Sequence, residues 1–356
     1  MEQRVHKTRA ALASLEALPI GILMGLAILI PACSSRQPGT PAKEQPAPPS
    51  TPKTQEEIVK WYQNCWNDFN EKKWDDFKKC YANNATSQQA GYGKLNVSGP
   101  DAIVTASQDF MKTFPDGRGE GQLILINGNR IASLYLLKGT NSGPLRGPDG
   151  KEIPGTNKKL GLMFGHAIEI DPTGPKVLKE TGAMDGVTLE NQLDLIKMPG
   201  RPLMESGATM PKVVIAKNDE TEMKNLDADK TQFEAWNKRD AATVASYIAD
   251  DAVLHDTTQP KDLTKAQSAQ NDKQFWQGFS DAKITPSSMW AAGDYVAITG
   301  MFDGTNDGDF APMKLKKTGK KVSVPFIEID RLDGGKVKEI WLMFDSASFV
   351  SQLGVQ

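Results

Sequence analysis

The sequence predicts an α+β protein made of two tandem copies of one domain, each with helices first and a mainly antiparallel sheet after them. Two observations carry this. Segments of the first half return in the second: "FNEKKWDDFKKCYANNA" at 69–85 as "WNKRDAATVASYIADDA" at 236–252, "KGTNSG" at 138–143 as "DGTNDG" at 303–308, "AIEID" at 167–171 as "FIEID" at 326–330, and "DGVTLENQL" at 185–193 as "DSASFVSQL" at 345–353. Their offsets of 167, 165, 159 and 160 residues are too long for a solenoid, whose period is roughly 20–50 residues, and suit two globular domains. The second observation is that apolar spacing changes within each copy from the helical period to the strand period.

In the first copy, Thr54 and Glu57 form a capping box ahead of Ile58, Tyr62, Cys65, Trp66 and Phe69, which fall at helical spacing. Trp74, Phe77 and Tyr81 mark a short second helix, and Ile103, Ala106, Phe110 and Phe114 a third. Strands are expected at 121–127, 130–138, 160–170 and 175–184, separated by turns such as "NGN" and "DPTG". The second copy predicts helices near 226–238, 241–249 and 262–279, and strands near 285–291, 294–302, 320–330 and 336–344. The resulting division is 1–32 leader, 33–53 tether, 54–196 first domain, 197–219 linker and 220–356 second domain.

The 42 basic and 44 acidic residues of the 356 leave a net charge of −2, which gives no electrostatic footprint for nucleic acid. The N-terminus reads as an export signal: Arg4, Lys7 and Arg9, then an apolar run at 18–30 that is short for a membrane span. "IPAC" at 30–33 resembles the lipobox of bacterial lipoproteins. That resemblance implies cleavage before Cys33, a lipid on Cys33, and a location on the cell envelope with the folded domains outside the cytoplasm. The six prolines of 34–53 then make a semi-extended tether. Cys65 and Cys80 remain; in an exported protein they can pair as a disulfide or sit as two buried thiols.

The run "AWNKRDAATVASYIADDAVLHD", then "FWQGFSD", "GDYVAITGMFDGTNDGDF" and "FIEIDRLDGGKVKEIWLMFDSASFVSQLG", resembles the SnoaL-like family of the NTF2-like (ketosteroid-isomerase-like) superfamily. The resemblance covers nearly all of 220–356 and extends more weakly over 54–195. It implies two cone-shaped domains, each with three helices over a strongly curved sheet around an apolar cavity. Members include cyclases, isomerases, dehydratases and noncatalytic modules, so function must be argued from the site.

The last strand of copy two alternates, with Trp341, Met343 and Asp345 on one face and Leu342 and Phe344 on the other. The resemblance turns the first face into the cavity and gives Asp345 the place of the family's acid/base. A carboxyl there would be desolvated and its pKa raised; equally, Asp345 can cap the helix that begins at Ser346. His255 and Asp256 match a His-Asp pair of the family, able to relay a proton or to line a cavity rim. Trp290 and Phe275 are expected to line or plug the cavity. In copy one, Thr181, Ala183 and Asp185 align with Trp341, Met343 and Asp345, while Gln88 and Gln89 align with His255 and Asp256. Its own His166 aligns with Pro325 in that reading. Copy one therefore reads as a binding or packing partner, the two copies forming an internal pseudo-dimer.

No metal cluster, phosphate loop or nucleophile elbow is present in the sequence, and no cofactor is expected. Three functions remain: an envelope lipoprotein binding a small apolar molecule; a cofactor-free ester cyclase, isomerase or dehydratase using Asp345; or a scaffold or dimerisation module with filled cavities.

Overall fold

A computed structural model describes residues 53–92, 96–146 and 151–354. The leader, Cys33 and nearly all of the tether lie outside the described residues. The described residues form one compact unit holding both copies.

The first copy runs α1 (Gln55–Asn70), α2 (Trp74–Lys79), β1 (Tyr81–Ala90), β2 (Asn96–Ser98), α3 (Pro100–Thr113), β3 (Arg118–Asn127), β4 (Arg130–Thr140), β5 (Leu145–Arg146), β6 (Glu152–Ile153), β7 (Lys159–Ile170), β8 (Val177–Ala183) and α4 (Gly186–Gln192). β9 (Lys212–Ile215) follows in the linker. The second copy repeats the plan: α5 (Glu220–Asn237), α6 (Ala241–Tyr247), β10 (Ile248–Asp256), β11 (Leu263–Thr264), α7 (Lys265–Gly278), β12 (Lys283–Ala292), β13 (Tyr295–Thr305), β14 (Lys321–Asp333), β15 (Lys336–Phe344) and α8 (Ser346–Leu353).

The capping box forms as the sequence implies: Glu57 N–H donates to Thr54 Oγ1 at 3.2 Å, and Thr54 N–H to Glu57 Oε2 at 2.9 Å. A disulfide joins Cys65 on α1 to Cys80 just after α2, with Cα atoms 6.1 Å apart.

The main sheets have the orders β2-β1-β8-β7-β4-β3-β9 and β11-β10-β15-β14-β13-β12. β1 lies parallel to β8, and β10 parallel to β15. These two strands are absent from the sequence reading, which placed Tyr81 in the second helix and extended the helix at 241 to residue 249. The β1 segment "YANNATSQQA" is polar and lacks apolar alternation; it is a strand because β8 and β2 supply its hydrogen bonds from both sides. The linker is likewise not wholly irregular, since β9 adds a parallel edge strand beside β3.

Inner faces pack on the helices, giving the core around Ile58, Phe69, Phe114 and Ile170 in the first copy and around Phe279, Phe310 and Phe349 in the second. The outer faces pack on each other. One cluster joins Leu123, Leu125, Ala132, Leu134 and Ala183 of the first sheet to Trp290, Ala297, Ile327, Ile329 and Met343 of the second. Gly165 permits the close approach, since a Cβ there would stand 2.6 Å from Met343 Cε.

Candidate functional site

The first domain encloses a cavity of 1120 Å³, far larger than the 160 Å³ cavity of the second. Aromatic side chains from α1 and α3, among them Trp61, Trp66, Phe69 and Phe110, form much of its wall. The helical spacing read from the sequence also brings Tyr62 to this wall.

A buried polar chain borders the cavity. Tyr62 Oη lies 2.6 Å from Ser133 Oγ and 2.8 Å from His166 Nδ1. On the other side of the ring, His166 Nε2 is 3.2 Å from Glu180 Oε2. Tyr81 O–H donates to the same carboxyl oxygen at 3.1 Å, and Gln89 Nε2 donates to Glu180 Oε1 at 3.1 Å. Gly182 makes room for that glutamine, because a Cβ at 182 would lie 1.9 Å from Gln89 Oε1. Tyr62, Ser133, His166 and Glu180 are each at most 7 % exposed.

Burial alone would raise the Glu180 carboxyl, but the hydrogen bond and charge of His166, with donors from Ser87 and Tyr81, bring it below its ordinary value. It stands as a carboxylate at neutral pH. His166 Nε2–H donates to Glu180, while Nδ1 accepts from the Tyr62 hydroxyl in the neutral ring and donates to it in the charged one. Burial pushes the Tyr62 and Tyr81 phenols upward, keeping them protonated.

Tyr62 comes from α1, and Ser133, His166 and Glu180 come from the adjacent strands β4, β7 and β8, whose registers set both Ser133 and Gly182 opposite His166. The sequence alignment had set His166 against Pro325. Counting along the ladders corrects this: Thr140 pairs with Lys159 and Thr305 with Lys321, and seven residues on from each partner stand His166 and Glu328. Tyr62 of α1 is matched by Asp229 of α5, 167 residues later.

The residues expected to line the second cavity divide between two faces. Phe275 and Asp256 do line it. Trp341 and Met343 do not: Ile340, Leu342 and Phe344 face inward, and Trp341 and Met343 join the cluster between the sheets with Trp290. Alternation along β15 was read correctly, but the assignment of faces is reversed, because the first domain buries what would otherwise be the outer face. His255 also points outward. Its ring stacks on Trp341 at 5.2 Å and its Nδ1 lies 3.0 Å from the Asp262 carboxylate. Asp256 accepts from Thr258 N–H and O–H at its Oδ1, and burial lifts its carboxyl to about 6.

Asp345 and Asp185 cap α8 and α4 and also cross the domain boundary reciprocally. Asp345 Oδ1 accepts from Ala347 N–H and from Gly186 N–H, both at 3.1 Å. Asp185 accepts from Thr188 N–H at 2.8 Å and from Ser346 N–H at 3.0 Å. Burial first, then the neighbouring Asp185 charge, raises Asp345 to about 6; burial also raises Asp185, against donors from Ser346 and Thr188. Asp345, Pro325, Ala347 and Ser348 lie on the wall of the first domain's cavity, so the second domain helps to close it. Among the described residues, no group of His, Cys, Asp and Glu has the geometry to hold a metal ion.

The sequence profile of the SnoaL-like polyketide cyclase family matches residues 56–193 and again 227–353. The chain belongs to this family. Solved structures similar to it include AclR from Streptomyces galilaeus (23% identity, TM-score 0.35, covering 38% of this chain and 87% of that one). A SnoaL-like protein from Jannaschia sp. CCS1 has 17% identity and TM-score 0.36, covering 39% and 98%. IdmH from Streptomyces antibioticus has 25% identity and TM-score 0.33, covering 37% and 99%. No curated protein sequence matches the chain. Both SnoaL-like copies keep the domain's helix and sheet plan, but they present different polar groups at equivalent inward positions: Tyr62 and His166 in one, Asp229 and Glu328 in the other.

Proposed function

We propose that the first SnoaL-like domain binds a largely apolar small molecule and holds one polar group of it against the Tyr62–His166–Glu180 chain. The observation that carries this is the 1120 Å³ aromatic-walled cavity bordered by an ionised, buried carboxylate in a hydrogen-bonded chain. Its size reaches that of ligand pockets, about 300–1,000 Å³. Native mass spectrometry of the protein purified from its own host tests the reading. A bound organic molecule is expected in the wild type and should be lost when Ala106→Phe narrows the wall. Wild type carrying nothing, and gaining no thermal stability from hydrophobic ligands, would argue for a scaffold instead.

The Glu180–His166–Tyr62 chain favours a second reading, cofactor-free proton transfer on the bound molecule. An imidazole fixed by a carboxylate on one side and bonded to a phenol on the other can take or give a proton without moving. Turnover of ester or ketone substrates that disappears in His166→Gln, with ligand binding retained, would establish it.

We further propose that the protein is a lipoprotein of the bacterial cell envelope, anchored through Cys33. The basic start, the short apolar run, the Ala32–Cys33 junction and the proline-rich tether support this. The mature chain should begin at residue 33 and partition into detergent, and Cys33→Ala should release it. A different N-terminus with unchanged partitioning would remove the anchor.

A further inference from the structure

The second domain's cavity has a chemistry unlike that of the first. At 160 Å³ it has room for only a few heavy atoms. Trp236, Phe275, Phe302 and Phe326 turn aromatic surface toward it, and Asp256, Asp272 and Glu328 reach it from β10, α7 and β14. No Lys, Arg or His is among the residues that line it. Immediately behind, Asp229 of α5 and Asp330 of β14 are fully buried, and both interact with Glu328. The elements that complete the wall contribute Val244, Ile284, Ile340 and Phe349, none of which is charged.

Three carboxyl groups thus line one small aromatic chamber with no lining cation, and two more stand behind Glu328. One further fact points to a missing donor. Gln232, 9 % exposed and on the cavity wall, has a buried Oε1 with no hydrogen-bond partner. Trp236 Nε1–H, which could have been a donor to a ligand, is already given to Asp272 Oδ1 at 2.8 Å. Aromatic faces attract a cation through their quadrupole, most strongly where water is excluded, and buried carboxyls favour a positive partner on the same ground. Anions are disfavoured by both.

We propose that the cavity of the second domain binds a small organic cation, a protonated or quaternary amine of a few carbon atoms. The site is separate from the ligand cavity of the first domain and does not depend on it. Glu328 and Asp272 supply the charge, the aromatic side chains enclose the alkyl groups, and Gln232 Oε1 accepts from an N–H where the amine carries one. In the absence of a cation the cluster lowers its charge by keeping protons: burial lifts Asp229 to about 7 against its hydrogen bond with Asp330, and burial with the neighbouring Asp229 charge lifts Glu328 to about 8. Asp256 and Asp272 stand at about 6, each raised chiefly by burial. Cation binding should therefore displace protons and strengthen as pH rises through this range.

Isothermal titration of the full chain with tetramethylammonium chloride, at constant ionic strength, tests the proposal, with neopentyl alcohol as an uncharged probe of the same shape. Expected are saturable binding of the cation at about pH 8, release of protons into buffer, and a loss of roughly tenfold or more in affinity in Glu328→Gln. Circular dichroism checks that the variant folds, and Asp272→Asn replaces it if it does not. Equal binding of neopentyl alcohol would overturn the proposal. So would no binding of the cation by folded wild type, or binding that survives both substitutions and so belongs to the other domain.

Discussion

Replacing Asp345 by Asn separates the two roles the sequence left open for this residue, and its effect can be worked from the structure. The carboxyl's hydrogen bonds from Gly186 N–H and Ala347 N–H both fall on Oδ1. An asparagine can keep both and remove only the charge. Burial and the Asp185 charge lift the carboxyl from 3.8 to about 6. Near two units at 1.36 kcal/mol each, the ionised form costs the fold about 3 kcal/mol. The sign follows from proton counting. The native state holds the proton more tightly than the unfolded chain, so this contribution is complete below about pH 4 and is lost as pH rises through about 6. Asp345→Asn should match wild type near pH 4, become more stable than wild type between about pH 4 and 6, and keep an advantage approaching 3 kcal/mol above that. Urea unfolding of both proteins across this range, followed by tryptophan fluorescence, measures the gap. Parallel curves for the two proteins, or a variant less stable than wild type at neutral pH, would refute the argument. In that case the carboxylate must be stabilised by contacts that outweigh its burial.

Removing the Cys65–Cys80 bond by Cys65→Ala/Cys80→Ala frees a 15-residue separation in the unfolded chain and should lower stability by roughly 3 kcal/mol, read as a shift between non-reduced wild type and the variant in urea. Tyr62→Phe leaves His166 Nδ1 without its hydrogen-bond partner in a buried site and should cost about 1–3 kcal/mol, while nitrogen NMR of the imidazole should show a changed proton balance between its two nitrogens. An unchanged imidazole spectrum would show that Glu180 alone sets the tautomer. Gly165→Val places a Cβ 2.6 Å from Met343 Cε and should overpack the sheet interface by about 1–3 kcal/mol, visible in thermal unfolding and eased by Met343→Ala. No relief in the double variant would mean that Ile327, the other neighbour of that Cβ, sets the cost.

Several features were legible in the residues themselves. The duplication, the helix-then-sheet order, the Thr54–Glu57 box, the pairing of Cys65 with Cys80 as one alternative, and the alternation along β15 all depend on short-range pattern. The candidate site was less legible. His166 was legible only as a strand residue set against Pro325, and Glu180 and Tyr62 were not recognised as its partners. Glu180 is 14 positions from His166 and Tyr62 is 104. Only the β4–β7–β8 register brings them together, and a shift of three places in the repeat alignment was enough to hide that Glu328 occupies the corresponding site.

What the sequence determined by itself is what local chemistry dictates: which segments are amphipathic, where helices can start, and that the domain occurs twice. What the tertiary structure decided is which face of each sheet looks inward. Period-two alternation separates two faces but names neither when both are apolar, and here both are buried, one under helices and one under the other copy. The same packing moved Trp341, Met343 and Trp290 out of the cavity and made Asp345 and Asp185 reciprocal caps across the boundary. It also left the large cavity in the first domain, whose polar groups had seemed the less informative. Those outcomes depend on contacts between residues more than a hundred positions apart, which no local pattern encodes.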